Sequence, residues 1–196
     1  MEDKIHELLH TWFGDPGLAD LPNSDRTNFW FGEDDTVRRQ VVQTFRAEYE
    51  SATNGTLNHW AKTPRGRLAL IILLDQFPRL IYRKSSEAFS QDPVAQQLCL
   101  DGLKEEADHA LTLIERVFFY MPLVHTEDKE IQEQSIRLYQ NLVTLSLTET
   151  TQIYQLFLAY AYAHFRVVKE FGRFPQRNAA LGRQSSEAEI AFLKNS

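Results

Sequence analysis

The sequence predicts an all-α fold, and three observations lead to this prediction. Nearly every long segment carries apolar residues at the three- and four-residue spacing of an amphipathic helix. No segment shows the sustained two-residue alternation, flanked by hairpin turns, that indicates strands. Short turn-forming stretches separate the helical segments, and short connections favour antiparallel neighbours. We therefore expect antiparallel helical hairpins, stacked either as a compact bundle or as a right-handed solenoid of a few repeats.

The first half of the chain contains two helices before the central one. The first spans Lys4–Phe13 and is closed by the turn residues Gly14–Gly17. After a loop, Asp34 or Asp35 can cap a second helix that runs to about Ser51.

The central helix is the most informative element. Thr63 is a suitable N-cap and Pro64 a suitable first-turn residue, so the helix begins there. Its apolar run Leu68–Leu74 is uninterrupted, which indicates a helix buried on all sides. Pro78 must kink or break it, because the proline ring removes one backbone donor.

The second half of the chain reads as further helices, marked by cap residues, prolines and glycines. In order, these are a helix from Asp92 to about His109, one over Leu111–Tyr120 ended by Pro122, one from a cap at Thr126 to about Leu145, one from a cap at Thr148 to Phe171 with Gly172 as its left-handed stop, and a short last helix opened by the capping box of Ser186 and Glu189.

Composition limits the classes of function. A chain of 196 residues with 43% apolar residues fits one domain, residues 1–196, with a real core. Its formal net charge of −6 argues against nucleic acid as a partner. Cys99 is the lone cysteine, so we expect no disulfide and interpret this thiol as a core residue. The N-terminus lacks a signal-peptide pattern and the longest apolar run is too short to span a bilayer, so we expect a soluble, cytoplasmic protein without a membrane partner.

The first candidate site follows the buried run of the central helix and contains Asp75, Gln76, Arg79 and Arg83. A charged group at the end of a buried helix must be paired or must face a cavity, because an isolated buried charge costs several kcal/mol. If the helix survives Pro78, the acid and the two arginines share one face. An internal ion network and a ligand site explain this group equally well.

The second candidate group opens the helix after Pro122 and contains His125, Glu127 and Asp128. The helix dipole alone accounts for carboxylates at a helix start. His125 could be an acid-base group, a metal ligand or a hydrogen-bonding plug. One histidine with two carboxylates is weak support for a metal, so we predict no metal site and no cofactor.

The third group is a basic segment that contains Arg173, Arg177 and Arg183. The chain has fourteen arginines and seven lysines, and arginine is preferred where a fixed fork must bind a carboxylate or phosphate. Phe171 and Phe174 lie among these arginines, which indicates that the segment packs inward. The alternative is solvated surface charge.

Three blocks of this sequence resemble the bacterial family catalogued as domain of unknown function nine-two-four, whose members are small proteins with a tetratricopeptide-like all-helical fold. The aromatic stretch Phe29-Trp-Phe-Gly32 also fits, so the resemblance covers almost the whole chain. Leu80 and Gln176 depart from the family pattern, which usually has Asn and His there. The blocks are Trp60-x-x-x-Pro64-x-Gly66-x-Leu68 through Asp75-Gln-Phe-Pro-Arg79, then Tyr120-x-Pro122-Leu-x-His125-x-Glu127-Asp128, then Phe171-Gly-Arg-Phe-Pro-x-Arg177-Asn178-x-x-Leu181-Gly-Arg183-x-Ser185.

The resemblance implies a tetratricopeptide-like array but no reaction, so three hypotheses remain open. The first is a site for a small anionic phosphate or carboxylate compound, with Asp75 and His125 as base and acid. The second is an interaction module whose arginines clamp an acidic peptide. The third is a purely structural ion network. The predicted ligand-binding residues are Gln76, Arg79, Arg83, Tyr120, Glu127, Arg173, Arg177, Asn178 and Arg183.

Overall fold

The structure is a computed structural model that describes residues 2–14, 26, 29–30 and 36–195. These residues form helices and turns, with no strand among them, and the all-α prediction is confirmed. The α-helices are α1 Glu2–Phe13, α2 Thr36–Thr44, α3 Arg46–Thr53, α4 Pro64–Ile71, α5 Phe77–Ile81, α6 Asp92–Lys104, α7 Leu113–Val124, α8 Lys129–Leu145, α9 Thr151–Phe171 and α10 Glu187–Lys194.

The core is built around α4, which packs against α1, α6 and α7. The side chains from Leu68 to Leu74 are at most 2% exposed, as the uninterrupted apolar run predicts. Helices α8 and α9 pack extensively on each other after the short connection 146–150. Among the described residues, no helix is long and apolar enough to cross a membrane. The finer tetratricopeptide-like arrangement stays a prediction.

Local chemistry places several helix ends where the sequence predicts them. The Thr63 hydroxyl accepts a hydrogen bond from the Gly66 N–H at 3.2 Å, and Pro64 follows in the first turn of α4. Gly172 ends α9 with a φ of +69°, a backbone conformation that glycine adopts without a steric penalty. Ser186 and Glu189 form the predicted capping box of α10.

The glycine of the Trp60–Gly66 block has a packing role. A side-chain carbon added at Gly66 would collide with the main-chain carbonyl of Trp60. The turn Asn58–Lys62 therefore lies directly against the start of α4, and only glycine fits between them.

Other predicted helix boundaries are wrong. The predicted helix ending at Ser51 is two helices, α2 and α3. Its predicted cap at Asp34 or Asp35 lies outside the described residues. Most of the predicted turn Gly14–Gly17 also lies outside them. Pro122 does not end α7, which continues to Val124, since a proline removes only its own N–H.

Caps on four other helices also differ from the prediction. α6 ends at Lys104, because Glu106 takes a left-handed φ of +54° and the separate 3₁₀ turn Ala107–Ala110 follows. Asp128 rather than Thr126 caps α8, and Thr150 rather than Thr148 precedes α9. α7 begins at Leu113 with a capping box, and the N-cap of α6 is Gln91 rather than Asp92.

Candidate functional site

A π-helical turn, Ile72–Gln76, joins α4 to α5 and places Asp75 in the interior. The Phe77 N–H donates to the Ile72 carbonyl, five residues back instead of four. Pro78 follows and has no N–H to continue the α-helical ladder, which explains why the wider turn occurs here. Asp75 is 0% exposed, so an irregular backbone turn and a buried carboxylate coincide.

The Asp75 carboxylate is bonded on both oxygens. Its Oδ1 lies 2.7 Å from Nδ1 of His125, and its Oδ2 accepts a hydrogen bond from Nε2 of Gln76 at 2.6 Å. Arg79 Nη1 is 3.3 Å from Oδ1 and also donates to the Asp75 main-chain carbonyl at 2.5 Å. Burial alone would raise the pKa of Asp75, but the charge of Arg79 and the bonds from His125 and Gln76 outweigh it and lower that pKa. Asp75 is therefore an ionised carboxylate at neutral pH.

His125 is held as a neutral base. Burial lowers its pKa to about 4, and Arg79 adds to this effect while Asp75 opposes it. Because a carboxylate only accepts hydrogen bonds, Nδ1 of His125 carries the proton, and Nε2 is the nitrogen with the lone pair. The His164 ring of α9 is 6.2 Å away and is itself 4.2 Å from the Tyr160 ring. This arrangement can accept a proton at Nε2 beside an aromatic wall.

Two guanidinium groups converge on Asp92 next to this pair. Arg79 makes a bidentate contact to Asp92 at 2.8 and 2.9 Å, and Arg177 makes a single contact at 3.2 Å. The Arg177 guanidinium is also stacked between the rings of Phe89 and Phe174, with centroid distances of 4.6 and 4.5 Å. The side chains of Arg79, Asp92 and Arg177 are only 20%, 18% and 11% exposed, respectively.

The arrangement is electrically neutral. Asp75 and Asp92 supply two negative charges, Arg79 and Arg177 supply two positive charges, and His125 is uncharged. We call these five residues the dyad cluster, after the Asp75–His125 pair.

Other predicted ligand-binding residues lie in a separate network that holds the C-terminal segment, residues 173–195. Glu127 accepts two hydrogen bonds from Arg183, at 2.6 and 2.9 Å, and one from the Phe174 N–H at 2.8 Å. Arg183 also donates to the Asn178 side-chain oxygen at 3.0 Å. Burial would raise the pKa of Glu127, but Arg183 and the Phe174 N–H outweigh it and lower that pKa. These contacts attach the segment to the connection between α7 and α8.

Arg173 belongs to the same network, because it binds Glu189 of α10 through two contacts of 2.6 and 2.8 Å. Arg173, Arg177 and Arg183, the arginines of the predicted basic segment, therefore do not share one partner. Each of these arginines binds a different carboxylate of the chain itself.

Two further predicted residues lie away from the dyad cluster. Tyr120 donates a hydrogen bond to Asp108 at 2.5 Å, in a buried contact between α7 and the turn before it. α5 ends at Ile81, and Arg83 follows it. Arg83 lines a pocket together with arginines of α2 and α3. The predicted alignment of Arg83 with Asp75 and Arg79 on one helix face is therefore wrong. Cys99 is fully buried and burial raises the pKa of its thiol, as expected of a core residue.

Sequence reasoning missed Asp92, Phe89 and Tyr160. Asp92 precedes a proline at a helix start, a pattern that capping already explains, so nothing in the sequence indicated two arginine partners. Within the described residues, no group of three or more His, Cys, Asp or Glu side chains is arranged to hold a metal ion.

The sequence profile of the bacterial proteins of unknown function DUF924 matches residues 8–196. The chain belongs to this family. A search of curated proteins found no match.

One similar structure is that of the protein of unknown function ATU0120 from Agrobacterium tumefaciens. It is 28% identical in sequence, the alignment covers 100% of this chain and 99% of that one, and the TM-score is 0.83. The resemblance inferred from the three sequence blocks is confirmed, and the family match covers residues 8–196.

Proposed function

We propose that the dyad cluster binds a small carboxylate or phosphate compound and that His125 takes up a proton as the compound binds. The observation that supports this most strongly is the 2.7 Å contact between His125 Nδ1 and the fully buried Asp75, which leaves Nε2 as a base. A positioned imidazole of this kind is the usual group for general acid-base chemistry.

The charge balance of the cluster supports coupling between the ligand and a proton. An anion that enters the neutral cluster adds a negative charge in a mostly buried place, which is costly unless a positive charge is added as well. Protonation of His125 supplies that charge, and the anion in turn raises the pKa of the imidazole.

Arg177 is the cation best suited to bind the ligand. Its single contact to Asp92, at 3.2 Å, is longer than either of the two contacts that Arg79 makes to the same carboxylate. Its stacking on Phe89 and Phe174 fixes the guanidinium plane without using its N–H donors. Arg177 can therefore share its remaining donors with an anion while it stays in place.

The two alternative hypotheses fit other parts of the structure. A peptide-clamping module needs arginines exposed along a groove, whereas Arg79 and Arg177 are mostly buried, which counts against that hypothesis. A structural role fits Arg173 and Arg183, whose guanidinium groups bind Glu189 and Glu127, respectively. The proposal is accordingly limited to the dyad cluster.

Isothermal titration with inorganic phosphate and a panel of small carboxylates tests the proposal. We expect at least one compound to saturate the wild type, with proton uptake that increases as the pH is lowered from 7 toward 5, measured in buffers of different ionisation enthalpy. Arg177→Gln should weaken binding about tenfold, the effect of losing one charge-assisted hydrogen bond. His125→Gln should bind without proton uptake.

Arg137→Gln is the matched control, because this arginine is exposed on α8 away from the cluster. It should bind like the wild type. Equal affinity of Arg177→Gln and the wild type, with the fold intact by circular dichroism, would contradict the proposal. So would the absence of saturable binding by every compound in the panel.

A further inference from the structure

A pocket lies between α2, α3 and the end of α5, and it shares no residue with the dyad cluster. Its volume is about 250 Å³. Of the described residues that line it, four are arginines and none is acidic. The lining residues are Arg38, Arg39, Val42, Gln43, Arg46, Leu80, Ile81 and Arg83.

The arginines of this pocket differ in how firmly they are held. Arg38 is 4% exposed and its Nη1 lies 3.5 Å from the Phe29 carbonyl, so it forms part of the pocket's inner wall. Arg46 makes a 3.0 Å contact to Glu50 one turn further along α3. Arg39 and Arg83 are exposed, one on α2 and the other just after α5. Positive charge thus reaches the pocket from three separate elements.

The remaining wall is largely apolar. Val42 is buried on α2, and Leu80 and Ile81 are half-buried at the end of α5. Planar guanidinium groups beside an apolar wall suit a ligand that combines an anionic head with a short hydrocarbon part. The chain carries a net charge of −6, whereas the charged residues described in the lining of this pocket are all positive.

We infer that this pocket binds a small phosphate ester, with the phosphate on the arginines and its short apolar group against Val42, Leu80 and Ile81. A phosphate dianion has enough acceptor oxygens for several guanidinium forks at once, whereas a single carboxylate accepts one fork. The hydrocarbon part adds the free energy of removing apolar surface from water.

Arg38 and Arg83 already interact with other groups of the chain, so an added anion must compete for their donors.

Butyl phosphate and inorganic phosphate are the two probes, titrated into the full chain and followed by calorimetry or by NMR shifts. We expect both to saturate, with butyl phosphate bound about tenfold more tightly because its alkyl group adds buried apolar area. The double variant Arg39→Gln/Arg83→Gln should weaken both probes at least about tenfold. Leu80→Asn should reduce the difference in affinity between butyl phosphate and inorganic phosphate.

A control variant and a spectroscopic readout separate this pocket from the dyad cluster. Arg166→Gln removes an exposed arginine of α9 and should leave both affinities unchanged. In NMR spectra butyl phosphate should shift the signals of Arg39, Arg83 and Leu80, so that failure of this pocket is distinguishable from failure of the dyad cluster. Lack of saturation by butyl phosphate, or unchanged affinity in the Arg39→Gln/Arg83→Gln variant, would overturn the inference.

Discussion

Arg177 donates a hydrogen bond to Asp92 across 85 positions of the sequence, with a distance of 3.2 Å between Nη1 and Oδ2. This contact joins the C-terminal segment to the first turn of α6 and completes the charge balance around Asp75 and His125. The dyad cluster therefore depends on segments from four parts of the chain, namely the π-helical turn with α5, the start of α6, the end of α7 and the C-terminal segment.

Replacing Asp75 by Asn should strongly destabilise the fold. Asn preserves the shape of the side chain but removes the charge that Arg79 and His125 contact. Breaking a buried ion pair from one side costs about 3–5 kcal/mol, because the partner is left buried without its counter-charge. Urea unfolding followed by circular dichroism measures this loss.

Asp101→Asn is the control for this variant, since Asp101 contacts Gln97 and Lys104 on the surface of α6. It should unfold almost as the wild type does. An Asp75→Asn variant as stable as the wild type would show that Asp75 is not an ionised, paired group.

Stability should fall as the pH is lowered from about 6.5 to about 4. The folded-state pKa of His125 is lowered to about 4, so in this window the unfolded chain binds a proton that the folded chain does not. The free energy of unfolding therefore rises with pH up to about 6.5, by up to about 3 kcal/mol from His125. Burial also lowers the pKa of His164, which adds an effect of the same sign.

Urea unfolding at several pH values checks this dependence. His125→Gln keeps a donor for Asp75 but does not titrate, so its unfolding free energy should depend less on pH. His109→Gln, at an exposed position, should retain the wild-type slope. Identical slopes for His125→Gln and the wild type would count against a buried neutral His125.

Glu127→Gln should loosen the C-terminal segment without unfolding the helices. Gln cannot match the two charge-assisted contacts that Glu127 makes to Arg183, which together with the Phe174 N–H hold this segment. Hydrogen exchange in residues 173–185 should accelerate about tenfold, with little change in α4 and α7. Glu170→Gln, an exposed acid near the end of α9, should leave exchange unaltered. Unchanged protection in Glu127→Gln would refute this anchoring role.

Gly66→Ala should destabilise the protein more than Gly102→Ala. The added carbon at Gly66 meets the main-chain carbonyl of Trp60, which cannot move without shifting a whole turn. At Gly102 it meets side-chain atoms, Phe119 Cζ at 2.5 Å and Arg67 Cδ at 2.6 Å, which can shift at less cost than a main-chain turn. We expect losses of about 1–3 kcal/mol at Gly102 and more at Gly66, measured by thermal or urea unfolding. Equal losses would mean that the Trp60 turn is not rigid.

Local chemistry explains which parts of the fold could be predicted from sequence. The caps at Thr63 and Ser186 and the stop at Gly172 depend on residues within one turn of each other, so their residue types suffice. The predicted end of α7 at Pro122 is wrong, because packing rather than the proline itself decides where this helix ends. Tertiary packing overrides local preference at such positions.

Sequence reasoning selected Asp75 and His125 separately, but their contact joins residues 50 positions apart. No local sequence pattern indicates that contact. Nor does one indicate that Arg173 binds Glu189 and Arg183 binds Glu127. Side chains alone identify which groups need partners. The fold decides which partner each group receives.

The position of Arg177 also has a consequence for the order of events during protein synthesis. Asp92 leaves the ribosome 85 residues before Arg177 does, so helices α4 to α9 can already pack while Asp92 faces Arg79 alone. A nascent or prematurely terminated chain thus carries one cation fewer at the dyad cluster than the finished protein. Ligand binding at that cluster would distinguish completed chains from helical intermediates of nearly the same secondary structure.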